Sequence, residues 1–156
     1  MNDGYYPLPL RREIKRVLLK LSKKEIAAVE AVLDIALNGG GELVQSADIT
    51  TRQGIPPRYL EPILQRLGRA EVLIGVRGPG GGYRLARERR RITLWQLVDA
   101  MRPETDVQAT PNSDALADTL VTIEADVRAR LDAVTIEALC WGKTPPEYAP
   151  NRNFII

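Results

Sequence analysis

Five glycines lie within eight residues of this chain, at positions 75, 78 and 80–82. Apolar residues alternate before them (Val72, Ile74, Val76) and resume after them (Tyr83, Leu85). Alternation on both sides of a glycine-rich tip is typical of a two-stranded β-hairpin with a long loop. Glycine permits a positive φ in the reversal and lets backbone N–H groups approach a ligand closely. The sequence therefore predicts a hairpin here.

The same glycines could instead form a nucleotide-binding loop, but their spacing does not fit one. Gly75 and Gly80 have the separation of a P-loop, yet glycines also occupy the places where that motif needs Lys and Ser or Thr. Gly78 and Gly80 could begin a dinucleotide fingerprint, which would need a third glycine where Tyr83 stands. Both interpretations as a phosphate cradle are poor.

The segments before the hairpin predict three helices. Ser22 and Glu25 form a capping box ahead of an apolar stripe, and the glycines at 39–41 end that helix. Ser46 can cap a brief second helix, and Pro57 fits the first turn of a third. The third helix carries a stripe at helical spacing: Tyr59, Leu60, Ile63, Leu64 and Leu67.

After the hairpin, Thr93 and Gln96 form another capping box, and a polar, proline-containing stretch follows from 102 to 113. Residues 114–140 predict one long helix with a narrow apolar stripe at nearly heptad spacing: Leu116, Leu120, Ile123, Val127, Leu131 and Val134. The stripe could pack against its own domain. A symmetric dimer contact is the more economical explanation for a helix beyond a linker.

Charge and composition restrict the function classes. Residues 52–91 hold ten arginines against three acidic residues, a balance of about +7 that suits a polyanion or makes a solvated basic surface. The chain has no histidine and one cysteine, Cys140, so the usual zinc sites and His-based catalysis are excluded. We expect no enzyme, no catalytic residue and no metal site. Without a signal peptide or a membrane-length apolar run, the sequence predicts a cytoplasmic protein without membrane contact.

The order of helix, short helix, turn, second short helix and basic hairpin is that of a winged helix-turn-helix. The predicted fold is mainly α, with a two-stranded β wing and a long C-terminal dimerisation helix. The expected parts are a basic extension over 1–18 that can form an amphipathic helix, a DNA-binding domain over 19–101, a linker or sensor loop over 102–113, a dimerisation helix over 114–140 and an irregular tail over 141–156.

Three segments carry a family resemblance: 19–38, 47–64 with "YLEPIL", and 76–94 with "VRGPGGGYRL". Over roughly 19–140 the chain resembles the Rrf-two family of bacterial winged-helix transcription regulators. The resemblance implies a homodimeric regulator, expected to be a repressor, on a pseudo-palindromic double-stranded DNA operator. It also leaves room for a small-molecule or protein effector. The alternative function is a winged-helix module that docks an acidic protein.

Several residues are candidates for DNA contact. The resemblance implies that Tyr59 and Glu61 read the major groove, and core packing is the other interpretation of Tyr59. Arg77 can reach a narrow minor groove from the wing or be an ordinary surface arginine. The full set of expected DNA-binding residues is Ser22, Lys24, Arg58, Tyr59, Glu61, Arg77, Gly78, Gly80, Gly81 and Arg84.

The cysteine count departs from the family pattern. Many members of the family hold an iron–sulfur cluster through three cysteines in the loop that corresponds to 102–113, and this chain has none there. We therefore expect no cofactor. Cys140 could be a redox switch or a small buried apolar residue.

Overall fold

The computed structural model describes residues 19–103 and 111–142. The predictions for 1–18, for 104–110 of the linker and for the tail from 143 onward lie outside these residues. The elements are α1 (Lys23–Asn38), α2 (Ser46–Gln53), α3 (Pro57–Arg69), β1 (Leu73–Val76), β2 (Gly82–Leu85), α4 (Leu94–Met101), α5 (Asp114–Asp132) and α6 (Ile136–Cys140), with a 3-10 turn at Arg89–Arg91. The predicted mainly helical fold with one small sheet is confirmed.

The first helix begins where the sequence predicts. The Ser22 hydroxyl accepts a hydrogen bond from the Glu25 N–H, and the Glu25 carboxylate accepts one from the Ser22 N–H, so both halves of the capping box are present. The inner face of α1 is made of small and branched residues that are fully buried, among them Ala28, Ala31 and Val32. Four other helices, α2, α3, α4 and α6, contact α1.

An ion pair fixes α2 against α1. Asp34 is 3% exposed, and its carboxylate accepts hydrogen bonds from Arg52 Nε at 3.0 and 3.1 Å, from Arg52 Nη2 at 2.6 Å and from Gln53 Nε2 at 3.1 Å. Burial alone would raise the pKa of Asp34, but these hydrogen bonds and the charge of Arg52 bring the net pKa below its usual value. The carboxylate is therefore ionised near neutral pH and connects α1 to the last turn of α2.

One detail of the helix-turn-helix differs from the sequence prediction. Ser46 is the first residue of α2 and Gln45 precedes it as the N-cap, without a side-chain bond, so Ser46 is not the cap. Pro57 does begin α3, and the helix continues through Pro62 to Arg69. A proline inside a helix removes one backbone hydrogen bond. The buried residues of α3 lie on both sides of Pro62, with Leu60 before it and Leu64 after it, and pack the helix against the core.

The predicted hairpin is confirmed. β1 and β2 are antiparallel, with Leu73 opposite Leu85 and Val76 opposite Gly82. Val44 adds a single bridge on the outer side of β2, where its N–H and C=O each bond Tyr83 at 2.8 Å. One edge of the hairpin is thereby attached to the segment that leads into α2.

The long helix predicted over 114–140 is wrong, because the chain breaks between α5 and α6. The N–H of Leu94 donates to the Val134 carbonyl, and the N–H of Ile136 donates to the Ile92 carbonyl, both at 2.8 Å. Thr135 then caps α6 by accepting from the Ala138 N–H at 3.1 Å. Ile136 is fully buried in the core formed with α1 and α3, so α6 shares one hydrophobic core with these helices.

Two guanidinium groups lie over the ring of Trp95 in α4, that of Arg102 at 4.9 Å and that of Arg128 of α5 at 5.0 Å from the ring centre. Such cation–π contacts stabilise the packing of α5 on α4. Arg102 also forms an ion pair with Glu124 at 3.2 Å. Within the described ranges, no helix is long and apolar enough to cross a membrane.

Candidate nucleic-acid interface

One open groove of about 780 Å³ is lined by residues of α3 and of the hairpin. Its wall on the α3 side includes Glu61, Gln65 and Arg69, and its other wall includes Arg77 and Tyr83 of the hairpin segment. We call this space the wing groove. The structure brings five of the predicted residues to it: Glu61, Arg77, Gly78, Gly80 and Gly81.

The glycines of the tip have more than one role. Gly78 and Gly80 have φ of 98° and 73°, and the N–H of Gly81 donates to the Gly78 carbonyl at 2.9 Å, so the reversal uses the positive φ that glycine allows. Gly82 is required by packing within the chain, since a Cβ there would lie 2.5 Å from the Val44 carbonyl oxygen. The sequence explained these glycines only by a turn and by the approach to a ligand.

The hydroxyl of Tyr83 donates a hydrogen bond to Glu61 Oε1 at 3.0 Å, across the wing groove. Burial first, and then the hydrogen bond and charge of Glu61, raise the pKa of Tyr83 to about 12. The hydroxyl is therefore protonated near neutral pH and acts as a donor. Sequence reasoning placed Tyr83 in the strand but missed this role, because the two residues are 22 positions apart.

Arg84 does not share the wing groove with Arg77. It lines a separate cavity of about 590 Å³, together with Gly40, Arg87 and Arg89. Successive side chains of a strand point to opposite faces, so the neighbour of Tyr83 must face away from α3. The prediction that grouped Arg84 with the other wing residues did not take that alternation into account.

The remaining candidates lie outside the wing groove. Tyr59 is half-buried and packs against the core, beside Ile26 and Ile55. This position agrees with the core-packing interpretation of its ring, and contact of Tyr59 with DNA stays a prediction. Arg58 and Lys24 are exposed in the first turns of α3 and α1. The Ser22 hydroxyl serves as the helix cap described above.

The apolar stripe of α5 divides into two parts. Leu116, Leu120 and Ile123 are 50%, 48% and 52% exposed, and Val127 is half-buried. Leu131 is buried within its own chain at 7% exposure, and Val134 lies beyond the end of the helix. The last two expected dimerisation residues therefore stabilise the monomer's own packing in this structure, and the first three face outward.

The donor set does not fit a cysteine-ligated iron–sulfur cluster. Cys140 is the chain's single cysteine, and it is half-buried where α6 packs on the core. The chain has no histidine to complete a ligand set. Within 19–103 and 111–142, no group of three or more Cys, Asp or Glu side chains is placed to hold a metal ion.

The pair α2–α3 followed by a two-stranded wing defines the winged helix-turn-helix class of proteins. Comparison with known families gives a narrower assignment, since residues 21–141 match the family model Rrf2, described as iron-dependent transcriptional regulators. The chain belongs to this family, as the resemblance predicted. The family consists of regulators, so the expectation that the chain is not an enzyme agrees with it.

Individual relatives agree with this assignment. The chain is 41% identical over 88 residues to the HTH-type transcriptional regulator IscR of Sodalis glossinidius. These residues make up 56% of this chain and 53% of that protein. The matched part therefore spans about half the length of such relatives. Among solved structures, T. potens IscR has 26% identity and a TM-score of 0.66, and covers 85% of this chain and 93% of its own. The structure of CymR, the global cysteine regulator of B. subtilis, shares the fold alone: it has 24% identity and a TM-score of 0.68, and covers 81% of this chain and 100% of its own.

Proposed function

We propose that this protein is a transcription regulator that binds double-stranded DNA through α3 and the hairpin, as a homodimer and without an iron–sulfur cluster. The observation that carries the proposal is the wing groove, where the helix and the wing of a winged helix-turn-helix present Arg69 and Arg77 on facing walls. Arginine pairs well with phosphate oxygens and with base edges. The proposed action is repression at a pseudo-palindromic operator in the cytoplasm.

In this proposal the two elements enter different grooves of DNA. The B-DNA major groove is about 12 Å wide and admits one α-helix, which is the place for the exposed side of α3. Arg77 is exposed at the edge of the wing tip, from where its guanidinium can enter the adjacent minor groove. Arg58, exposed at the start of α3, is placed to contact the backbone or a base edge.

The outward face of α5 supports the homodimer. Leu116, Leu120 and Ile123 form an exposed apolar row on a helix of 19 residues, whose only buried residue is Leu131. A second copy that contributes the same row would bury both faces by two-fold symmetry. Two recognition helices related in this way meet half-sites about 34 Å apart, which accounts for a pseudo-palindromic site.

In this proposal, regulation requires a signal other than a bound iron–sulfur cluster. Cys140 alone cannot supply the thiolates that hold iron and sulfide. In this proposal a small-molecule or protein effector changes the DNA affinity.

The test begins with selection of bound fragments from the source genome by the purified protein, followed by titration of the selected site. We expect Arg77→Ala to weaken binding to that site by about 1–3 kcal/mol, the range for a specific base or groove contact. Arg84→Ala is the matched control: it removes the same charge from the same hairpin but from the opposite face. Its effect should be small and equal for all DNA sequences.

Unchanged affinity of Arg77→Ala at fixed salt would refute the role of the wing. The affinity of the unmodified protein should also fall steeply as salt rises, because phosphate contacts release counterions. If no genomic fragment is retained, and the protein instead forms a salt-insensitive complex with an acidic protein, the alternative function as an interaction module is correct.

A further inference from the structure

Contacts of its backbone and of its ring hold Tyr83 in place, independently of its hydroxyl. Its backbone N–H and C=O both bond Val44 at 2.8 Å, and its backbone pairs with Gly75 across the hairpin. The ring covers Gly75, where a Cβ would lie 3.0 Å from the tyrosine Cε1. The ring therefore has a fixed position that depends on glycine opposite it.

The hydroxyl connects this fixed ring to the recognition helix. It donates to Glu61 Oε1 at 3.0 Å, and Glu61 is half-buried in the wing groove. An ionised carboxylate only accepts hydrogen bonds, and one bond to Oε1 leaves acceptor capacity on Oε2. The bond thus restricts the rotation of the Glu61 side chain and leaves it able to accept from a DNA base.

We propose that Tyr83 is a positioning residue for base reading. Its hydroxyl orients the Glu61 carboxylate so that, at one position of the site, α3 selects a base with an amino group in the major groove. The proposal rests on the proposed function and deepens it. In the major groove, cytosine N4 and adenine N6 are the donors that a carboxylate can accept from, whereas guanine and thymine present O6 and O4 acceptors that repel it.

The same contact couples the wing to the helix. Tyr83 and Arg77 belong to one hairpin, and the Arg77 charge is close enough to lower the pKa of the Tyr83 hydroxyl slightly against the larger effect of burial. The hydrogen bond between Tyr83 and Glu61 therefore connects the hairpin that carries Arg77 to α3.

The experiment is a selection from a randomised DNA duplex library by the full-length protein and by three variants: Tyr83→Phe, Glu61→Ala and the double variant. We expect the unmodified protein to prefer an amino-bearing base at one position, on the order of fivefold or more. Tyr83→Phe removes only the hydroxyl and should reduce that preference by roughly fivefold, which is about the net contribution of one ordinary hydrogen bond. The salt dependence should not change.

The double variant is the control. Once Glu61 is absent, the further change at Tyr83 should have no effect on base preference, because Tyr83 acts through Glu61. Absorbance titration gives an independent readout on the five tyrosines. One of them should ionise at lower pH in Glu61→Ala than in the unmodified protein, since the carboxylate contributes to the raised pKa.

The outcomes separate the two proposals. If the unmodified protein selects no sequence, the proposed function fails. If it selects a site and Tyr83→Phe keeps the same preference, only the role of Tyr83 is overturned. A uniform loss of affinity for all sequences would also overturn it, since that result indicates a structural role.

Discussion

Leu120 offers a direct measurement of the proposed dimer contact. It is 48% exposed on the outward row of α5, between Leu116 and Ile123. Full burial of a leucine side chain contributes about 1.5–3 kcal/mol, so covering the exposed half contributes about 1 kcal/mol per subunit. Replacement by Ala leaves helix propensity nearly unchanged and removes this contribution twice in a symmetric dimer. We expect Leu120→Ala to weaken the free energy of dimerisation by about 2 kcal/mol, which corresponds to a roughly 30-fold weaker dimerisation constant.

Sedimentation equilibrium over a range of protein concentrations measures this constant. Val121→Ala is the matched control, because Val121 is 67% exposed but lies about 100° around the helix from Leu120. Its constant should be unchanged within a factor of about two, since it lies off the row. Equal effects of both substitutions, or a monomer at all concentrations, would show that the row formed by Leu116, Leu120 and Ile123 is not the contact.

Two further predictions concern stability. Asp34→Asn removes the charge that Arg52 binds. Because Arg52 is partly exposed and water screens the ion pair, we expect the free energy of unfolding, measured by urea denaturation, to fall by about 1–2 kcal/mol. Because folding lowers the pKa of Asp34, its contribution to the free energy of unfolding is present above the pKa of the unfolded state and is lost in acid, below about pH 4. If the stability difference between the unmodified protein and Asp34→Asn does not shrink below that pH, the ion pair is contradicted. Gly82→Ala should lower the Tm, because its Cβ would meet the Val44 carbonyl oxygen at 2.5 Å. Gly68 lies inside α3 with room for a Cβ, so Gly68→Ala should raise the free energy of unfolding by up to about 1 kcal/mol. Equal Tm shifts in the two glycine variants would contradict the packing argument.

Sequence reasoning was accurate where a short stretch of chain decides the structure. The capping boxes at Ser22 and Thr93 begin α1 and α4 as predicted, because each cap bonds the backbone only three residues away. The alternating stretches around the glycines became β1 and β2, and the order of elements was enough to predict the winged helix-turn-helix.

The same reasoning failed where a distant segment decides the outcome. The periodic pattern from 114 onward continues past Asp132, but the chain leaves the helix because Val134 and Ile136 bond the segment around Ile92 and Leu94. No local pattern reports such a bond, since the partners are about 40 residues apart.

For the candidate site, the sequence alone determined which residues are available: a helix with Glu61, a glycine tip that must reverse the chain, arginines in excess around both, and too few cysteines for an iron–sulfur cluster. The tertiary structure decided which of them meet. It placed Arg77 and Glu61 in one groove, turned Arg84 to the opposite face, and joined Glu61 to the Tyr83 hydroxyl. Composition and spacing are properties of the chain, whereas the direction of a side chain and its partner depend on how separate elements pack against the common core.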